Sequence, residues 1–329
     1  KMKICFIDKT EFSFSYKDIN KSKLRGAESI FINLSKEVSN LGHEVIVFNN
    51  CNEDEYESAN YSWLNINRLK SKNYNFDVVI SNSDCNFFKL VSAKKNILIS
   101  HSNQSIEQFI RKNQLISFLK FRPIIWMTSN FQAKKRSTFI KMFGHILIPW
   151  SVDEMFLKTK IHNNINNNQA IFTSRPDRNL NILLDVWLKY INPYDKEKRL
   201  IIYGKDDKLL NKSIINKGFV SHDELIRDIG NSRLFLIPGH KAETFCLAAE
   251  EAKELCLPIV TMGIGCLSER VDHGKNGFVA KNENEFKDYI LELFNNNELW
   301  NNFRNNLIQS RGRNNWRNVA NTFIKQINE

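Results

Sequence analysis

The sequence predicts an α/β protein built from two Rossmann-like, doubly wound domains facing a central cleft. Three observations predict it. Short β-rich runs alternate with amphipathic helical stretches from one end of the chain to the other. Most of these runs are continuously apolar, without period-2 alternation, as parallel strands covered on both faces by helices should be. And 329 residues exceed what one ordinary core organises, so two domains are expected.

In the first half, strands are predicted at residues 3–7, 45–49, 77–81, 96–100, 124–128 and 145–149. The second half repeats the scheme at 170–174, 199–203, 233–238, 257–261 and 277–280. Helices fall between them. The stretch 27–41 carries Ile30, Phe31, Leu34, Val38 and Leu41 on one face and stops at Gly42. Between residues 153 and 169 the asparagine-rich run His162-Asn163-Asn164-Ile165-Asn166-Asn167-Asn168 interrupts the pattern and reads as a linker or exposed loop. It puts the boundary between a domain over 1–155 and one over 156–312. Ligands of such sheets sit at the carboxyl ends of strands, so the loops there are where function is sought.

Composition narrows the class. With 42% hydrophobic and 25% charged residues the chain reads as globular and soluble. No apolar run approaches the roughly 18 residues of a membrane span. The opening Lys1-Met2-Lys3-Ile4-Cys5-Phe6-Ile7-Asp8 reads as a buried strand instead of a signal peptide, so a cytoplasmic location is expected. Cys5, Cys51, Cys85, Cys246, Cys256 and Cys266 include no C-x-x-C pair and are expected as buried, reduced thiols. There is no Walker G-x-x-x-x-G-K-[ST] and no G-x-G-x-x-G, which leaves nucleotide hydrolysis and nicotinamide chemistry without support. No D-x-D follows a strand; Asp206-Asp207 after Gly204 lacks the spacing.

The net charge of +11 is unevenly spread. Residues 102–141 hold Arg111, Lys112, Lys120, Arg122, Lys134, Lys135, Arg136 and Lys141 against the single acid Glu107. Ile106, Phe109, Ile110, Leu115, Ile116, Phe118, Leu119, Phe121 and Trp126 are interleaved with them. Two readings stand. Residues 105–141 lie on an anionic membrane surface, or a helix packs its apolar face on the sheet with its cations solvated.

The segment richest in chemistry is 235–260. A strand ends at Pro238, a short loop delivers Glu243, and a helix beginning near Phe245 carries Glu251 about two turns in. Backbone N–H groups at that helix start, over Thr244-Phe245-Cys246-Leu247, suit an anion or sugar hydroxyls. Two carboxylates facing two hydroxyl-rich groups is the logic of nucleotide-sugar recognition. A surface helix with solvated glutamates is the other reading.

The segment resembles the E-x7-E region of the retaining family-4 glycosyltransferases, which have the two-Rossmann GT-B fold. The likeness runs nearly the whole chain, in order. Arg25-Gly26-Ala27-Glu28 resembles the G-G-A-E loop and Leu41-Gly42-His43-Glu44-Val45 the G-H-x-V strand entry. Ile148-Pro149-Trp150-Ser151-Val152-Asp153 stands where the family has N-G-V-D. Gly265-Cys266-Leu267-Ser268-Glu269-Arg270-Val271 resembles G-G-x-P-E-V-V, and Gly274-Lys275-Asn276-Gly277-Phe278 the G-x-N-G turn. The final stretch, 313–329, resembles the helix that crosses back to the first domain.

The resemblance implies a retaining, metal-independent glycosyltransferase with a UDP- or GDP-linked sugar as substrate and no cofactor. It places Glu251 on the ribose and Glu243 on the donor sugar. Arg175 and Arg178, in the loop after the first strand of the second domain, would hold the diphosphate, and guanidinium forks suit phosphate oxygens. His101, closing a strand in the first domain, would meet donor or acceptor, and Gly26 would let backbone approach a phosphate. Two departures stand out. Ser174 and Arg178 replace the glycine and lysine of the usual G-R-x-x-x-x-K-G, and Cys246 takes the place of a loop glycine. The implied partners are the donor, a glycan or lipid-linked acceptor of cell-surface polysaccharide or glycolipid synthesis, and an anionic membrane at the inner face. Nucleic acid is not expected. The rivals are a nucleotide-sugar epimerase of the same fold and a non-catalytic sugar or nucleotide binder.

Overall fold

A computed structural model describes residues 1–19, 24, 26–162, 164–204, 211–218 and 220–329. Arg25 of the first landmark and the Asp206-Asp207 pair lie outside the described residues. The chain divides into two compact units, residues 1–151 with 315–329, and residues 152–314.

Among the described residues the first unit holds β1 (Lys3–Ile7), β2 (Glu44–Asn49), β3 (Glu55–Ser58), β4 (Tyr61–Asn65), β5 (Asn75–Asn82), β6 (Ser92–Ile99), β7 (Ile124–Met127) and β8 (His145–Leu147). Their order across the sheet is β3-β4-β2-β1-β5-β6-β7-β8. All neighbours are parallel except the edge hairpin β3–β4. Strand order therefore reverses between β1 and β5, the place where doubly wound sheets open a crevice. The strands are apolar throughout because both faces are covered: Ile4, Cys5, Phe6 and Ile7 are fully buried.

The last helix, Trp316–Asn328, belongs to this unit and packs against the helix Gly26–Asn40. An aromatic stack holds it. Trp126 lies 4.7 Å from Trp150 and 4.6 Å from Phe323, and Trp150 lies 6.1 Å from Trp316. The indole N–H of Trp126 donates to the Ile148 carbonyl at 3.0 Å, so its one polar atom is satisfied in the core.

The second unit holds β9 (Asn166–Phe172), β10 (Arg199–Ile202), β11 (Ile214–Asn216), β12 (Ser232–Gly239), β13 (Ile259–Ile264) and β14 (Gly277–Val279). Their order is β11-β10-β9-β12-β13-β14, all parallel. Numbered from β9, this is the 3-2-1-4-5-6 order of the Rossmann fold, with its reversal between β9 and β12.

Three strands escape the sequence reading: β3, β4 and β11. The asparagine run is also read differently by the structure. Asn166 to Asn168 open β9, and the unit boundary falls at Ser151/Val152, ahead of the short helix Glu154–Lys158. The asparagines have partners: Asn167 Oδ1 accepts from Arg233 at 2.9 Å and Asn168 Oδ1 from Lys198 at 2.8 Å. Arg233 is buried and cationic with no carboxylate among its described partners. It also donates to Leu293 O and Asn297 Oδ1, each at 2.8 Å, and stacks 4.9 Å from the Trp300 ring. All six cysteines are free and buried. No helix of the described residues is long and apolar enough to cross a membrane.

Candidate functional site

The second unit gathers its polar side chains at the carboxyl ends of β9 and β12, the two strands at its switch point. Beyond β9 the loop Thr173–Asn179 leads into the helix Leu180–Val186, with Asn179 left-handed at the cap. Asn179 Nδ2 donates to the Gly239 carbonyl at 2.5 Å, tying this loop to the end of β12. Gly239 has φ +97°, and a Cβ there would lie 2.6 Å from the Ile264 carbonyl oxygen, so the strand end admits only glycine.

Arg178 is the centre of the group. Its Nε donates to Glu243 Oε1 at 2.8 Å, with both side chains mostly buried. Its Nη1 lies 3.2 Å from His240 Nδ1, which also accepts from the Ala242 N–H at 3.1 Å. Two donors on Nδ1 place the imidazole proton on Nε2. Burial pushes the Glu243 carboxyl above its ordinary range even though Arg178 pulls it down. Arg175 joins this group through Asp177, whose Oδ2 also lies 3.6 Å from Arg178 Nη1. Its guanidinium is taken by Asp177 at 3.1 and 2.6 Å, and its side chain is 72% exposed.

The loop from His240 to Cys246 is held from beneath. Glu243 N donates to His240 O at 2.9 Å and Cys266 N to Glu243 O at 3.1 Å. Gly265, at φ +79°, supports it closely, since a Cβ would lie 2.3 Å from the His240 carbonyl oxygen. Cys246 is left-handed, φ 62° and ψ 74°, and caps the helix Leu247–Glu254 without a side-chain hydrogen bond. Two consequences follow. The cysteine bears a backbone strain of about 1–2 kcal/mol that a glycine would not. And no side chain caps the first turn: Ala249 N–H is taken by the Cys246 carbonyl at 3.1 Å, while the Leu247 and Ala248 N–H groups and the positive helix end are left, among the described residues, for a ligand. Burial drives the Cys246 thiol far up, so it is no thiolate nucleophile. Thr244 and Phe245 are buried beside it; Leu247 is half-buried.

Glu251 stands on the second turn of this helix. It is half-buried and makes no side-chain hydrogen bond or ion pair among the described residues. Burial, with the Asp153 carboxylate adding to it, pushes its pKa up to about 7. Asp153 caps the helix Glu154–Lys158, its Oδ1 accepting from Met155 N at 3.0 Å. Arg311 fastens this helix to that of Glu251, donating to Phe156 O at 2.8 Å and to Glu254 O at 2.7 Å.

Of the predicted residues, the structure thus brings Arg178, Glu243, Thr244, Phe245, Cys246 and Leu247 to one strand end, with Glu251 farther along the same helix. Arg175 faces solvent. Gly26 and His101 lie in the first unit, Gly26 exposed as the first residue of the helix Gly26–Asn40 and His101 after β6. His240 is not among the predicted residues; its place three residues before Glu243, in the loop after a strand, is the signal the sequence offers for it.

The fold is that of the two-domain GT-B glycosyltransferases. Residues 157–310, inside the second unit, match the model of the family described as Glycosyl transferases group 1. An uncharacterized glycosyltransferase of Methanocaldococcus jannaschii is 31% identical over 134 residues, covering 38% of this chain and 37% of the relative. The structure of Anabaena HepE in complex with UDP and glucose superposes with a TM-score of 0.70 at 16% identity, over 100% of both chains. TarM of S. aureus, solved with Fondaparinux, alpha-GlcNAc-glycerol and UDP, gives 0.58 at 19% identity, over 77% of this chain and 55% of that one. The chain therefore spans little more than a third of the curated relative and about half of TarM.

Proposed function

We propose that the protein is a retaining, metal-independent glycosyltransferase that moves a sugar from a UDP- or GDP-linked donor to a glycan or lipid-linked acceptor. The observation that carries this reading is the placement of Arg178, Glu243 and a helix start without a side-chain cap at the switch point of the second unit, with Glu251, unpaired among the described residues, on the same helix. Arg178 and the helix N–H groups suit a diphosphate. Glu251 suits the two hydroxyls of a ribose, and Glu243 those of the transferred sugar. In the reaction the bond from the anomeric carbon to the phosphate oxygen breaks and one to the acceptor oxygen forms on the same face. The acceptor proton passes to the departing phosphate, whose charge Arg178 stabilises. His240 Nε2–H adds a neutral donor, and His101 is assigned to the donor or acceptor.

The test is calorimetric titration with UDP, GDP and ADP, then turnover of the matching nucleotide sugars with the anomeric configuration of the product read by NMR. Binding that survives both Glu251→Ala and Arg178→Ala rejects the site. A product of inverted configuration rejects retention, activity lost to EDTA rejects metal independence, and interconversion of free nucleotide sugars without an acceptor makes the protein an epimerase.

We further infer peripheral attachment to an anionic membrane at the cytoplasmic face, in polysaccharide or glycolipid synthesis. Phe109, Phe118 and Ile140 turn into the core, while Ile110, Ile116 and Met142 are 55%, 79% and 79% exposed. Arg111, Lys112, Lys120, Arg122 and Lys141 are exposed in the same segments. Arg136, counted in the patch by sequence, is buried against Ala133 O and His145 instead. Co-sedimentation with phosphatidylglycerol vesicles, absent with phosphatidylcholine and weakened by salt, is expected; equal binding to both rejects the inference.

A further inference from the structure

Asp8, Asn82 and His101 stand at the carboxyl ends of β1, β5 and β6, three neighbours in the first sheet. They form a row. Asn82 Nδ2 donates to Asp8 Oδ2 at 2.9 Å, and Asn82 Oδ1 lies 2.8 Å from His101 Nε2. Burial, with Lys112 adding to it, pushes His101 down to about 4, so the ring is neutral and its bond to an amide oxygen puts the proton on Nε2. The amide is therefore locked in one orientation, NH2 toward the carboxylate and oxygen toward the ring. Asp8 Oδ1 accepts from Lys9 N at 2.8 Å.

Glu28 adds a second carboxylate. It sits in the first turn of the helix Gly26–Asn40 and is 5% exposed, close enough to Asp8 to push that carboxyl up. Burial is the larger cause of the Asp8 shift to about 6, with its hydrogen bonds from Asn82 and Lys9 opposing. Glu28 Oε2 is buried and has no hydrogen-bond partner among the described residues. Neither carboxylate is in an ion pair there. A buried acceptor without a donor costs the fold on the order of 1–3 kcal/mol, and packing offers no return for it.

The row lies where strand order reverses between β1 and β5, the crevice in which such sheets bind ligands. Two carboxylates in this position repel phosphate and every other anion. Glu28 Oε2 lacks a donor among the described residues, and hydroxyl groups are neutral donors. We propose that Asp8 and Glu28, with Asn82 and His101 holding Asp8 in place, bind neighbouring hydroxyls of an uncharged polyol or sugar, the hydroxyl-bearing end of the acceptor. This rests on the transferase reading and names the acceptor chemistry that reading leaves open.

The experiment uses the full chain labelled with 15N and titrated with methyl α-D-glucopyranoside, methyl α-D-galactopyranoside, glycerol and inorganic phosphate to high millimolar concentration. The reporters are the Asn82 side-chain amide and the His101 ring nitrogens. At least one polyol should move both, phosphate should move neither, and Asp8→Asn or Glu28→Gln should weaken the response about tenfold, the worth of one charge-assisted hydrogen bond. Both substitutions remove a buried charge, and the unperturbed remainder of the spectrum shows that the variants fold. The proposal is overturned if no polyol moves the reporters, if phosphate does, or if the response survives both substitutions. UDP titrated in parallel reports on the second unit. Loss of that response alone sinks the donor reading, and loss of the polyol response alone sinks this one.

Discussion

Replacing Glu251 by glutamine should make the protein more stable and less functional, with a pH signature that separates the two effects. Burial and Asp153 raise the Glu251 pKa from 4.5 to about 7. Folding therefore favours its protonated form. That contribution is complete below the unfolded pKa and is lost as pH rises through about 7. At pH 8 the folded protein holds a carboxylate it would not choose. At about 1.4 kcal/mol per pH unit the full shift is worth roughly 3 kcal/mol, and discounting for partial exposure leaves about 1–2 kcal/mol. Glu251→Gln should recover that amount at pH 8 and almost nothing at pH 4, read as the difference in urea midpoint between variant and parent. Other raised carboxyls, Asp8, Glu243 and Glu254, cancel in that difference. Nucleotide reverses the ranking. UDP should raise the melting temperature of the parent at pH 8 and leave the variant unmoved, because an amide offers the ribose one acceptor instead of two. A variant less stable than the parent at pH 8, or one stabilised equally by UDP, would refute the reasoning.

Three further outcomes are expected. Arg178→Lys replaces a fork that engages Glu243 and His240 together by a point charge, so nucleotide binding should weaken by about 10–100-fold in calorimetry while the fold stays intact. Arg233→Met leaves Leu293 O, Asn167 Oδ1 and Asn297 Oδ1 without their donor and should cost about 3 kcal/mol or more in chemical denaturation. Cys246→Gly removes the left-handed strain and should stabilise the protein by about 1 kcal/mol, seen as a higher melting temperature.

The parallel strands were legible because both of their faces are buried, so Lys3–Ile7 and its neighbours read as unbroken apolar runs. The strands that escaped lack that signature. Glu55–Ser58 is an exposed edge paired on one side, and Ile214–Asn216 is three residues long. Asn166–Phe172 was read late because its first residues reach solvent, where asparagine is tolerated. At the candidate site, Glu243, Glu251 and Arg178 stood out by their place after strands. The inequality of Arg175 and Arg178 did not, since Asp177 touches both and what sets Arg178 apart is a glutamate 65 positions away. His240 was hidden for the same reason: its partner is 62 residues distant.

The aromatic stack of Trp126, Trp150, Trp316 and Phe323 bears on how the molecule is made. The second unit is one uninterrupted stretch, while the first is closed by residues 315–329. A ribosome therefore delivers all of residues 152–314 before it delivers the helix that covers Trp126 and Trp150. The unit synthesised first is the unit completed last. Until then its nascent form presents two uncovered indoles, a natural handle for chaperones and a reason to place purification tags where they leave the final helix free to dock.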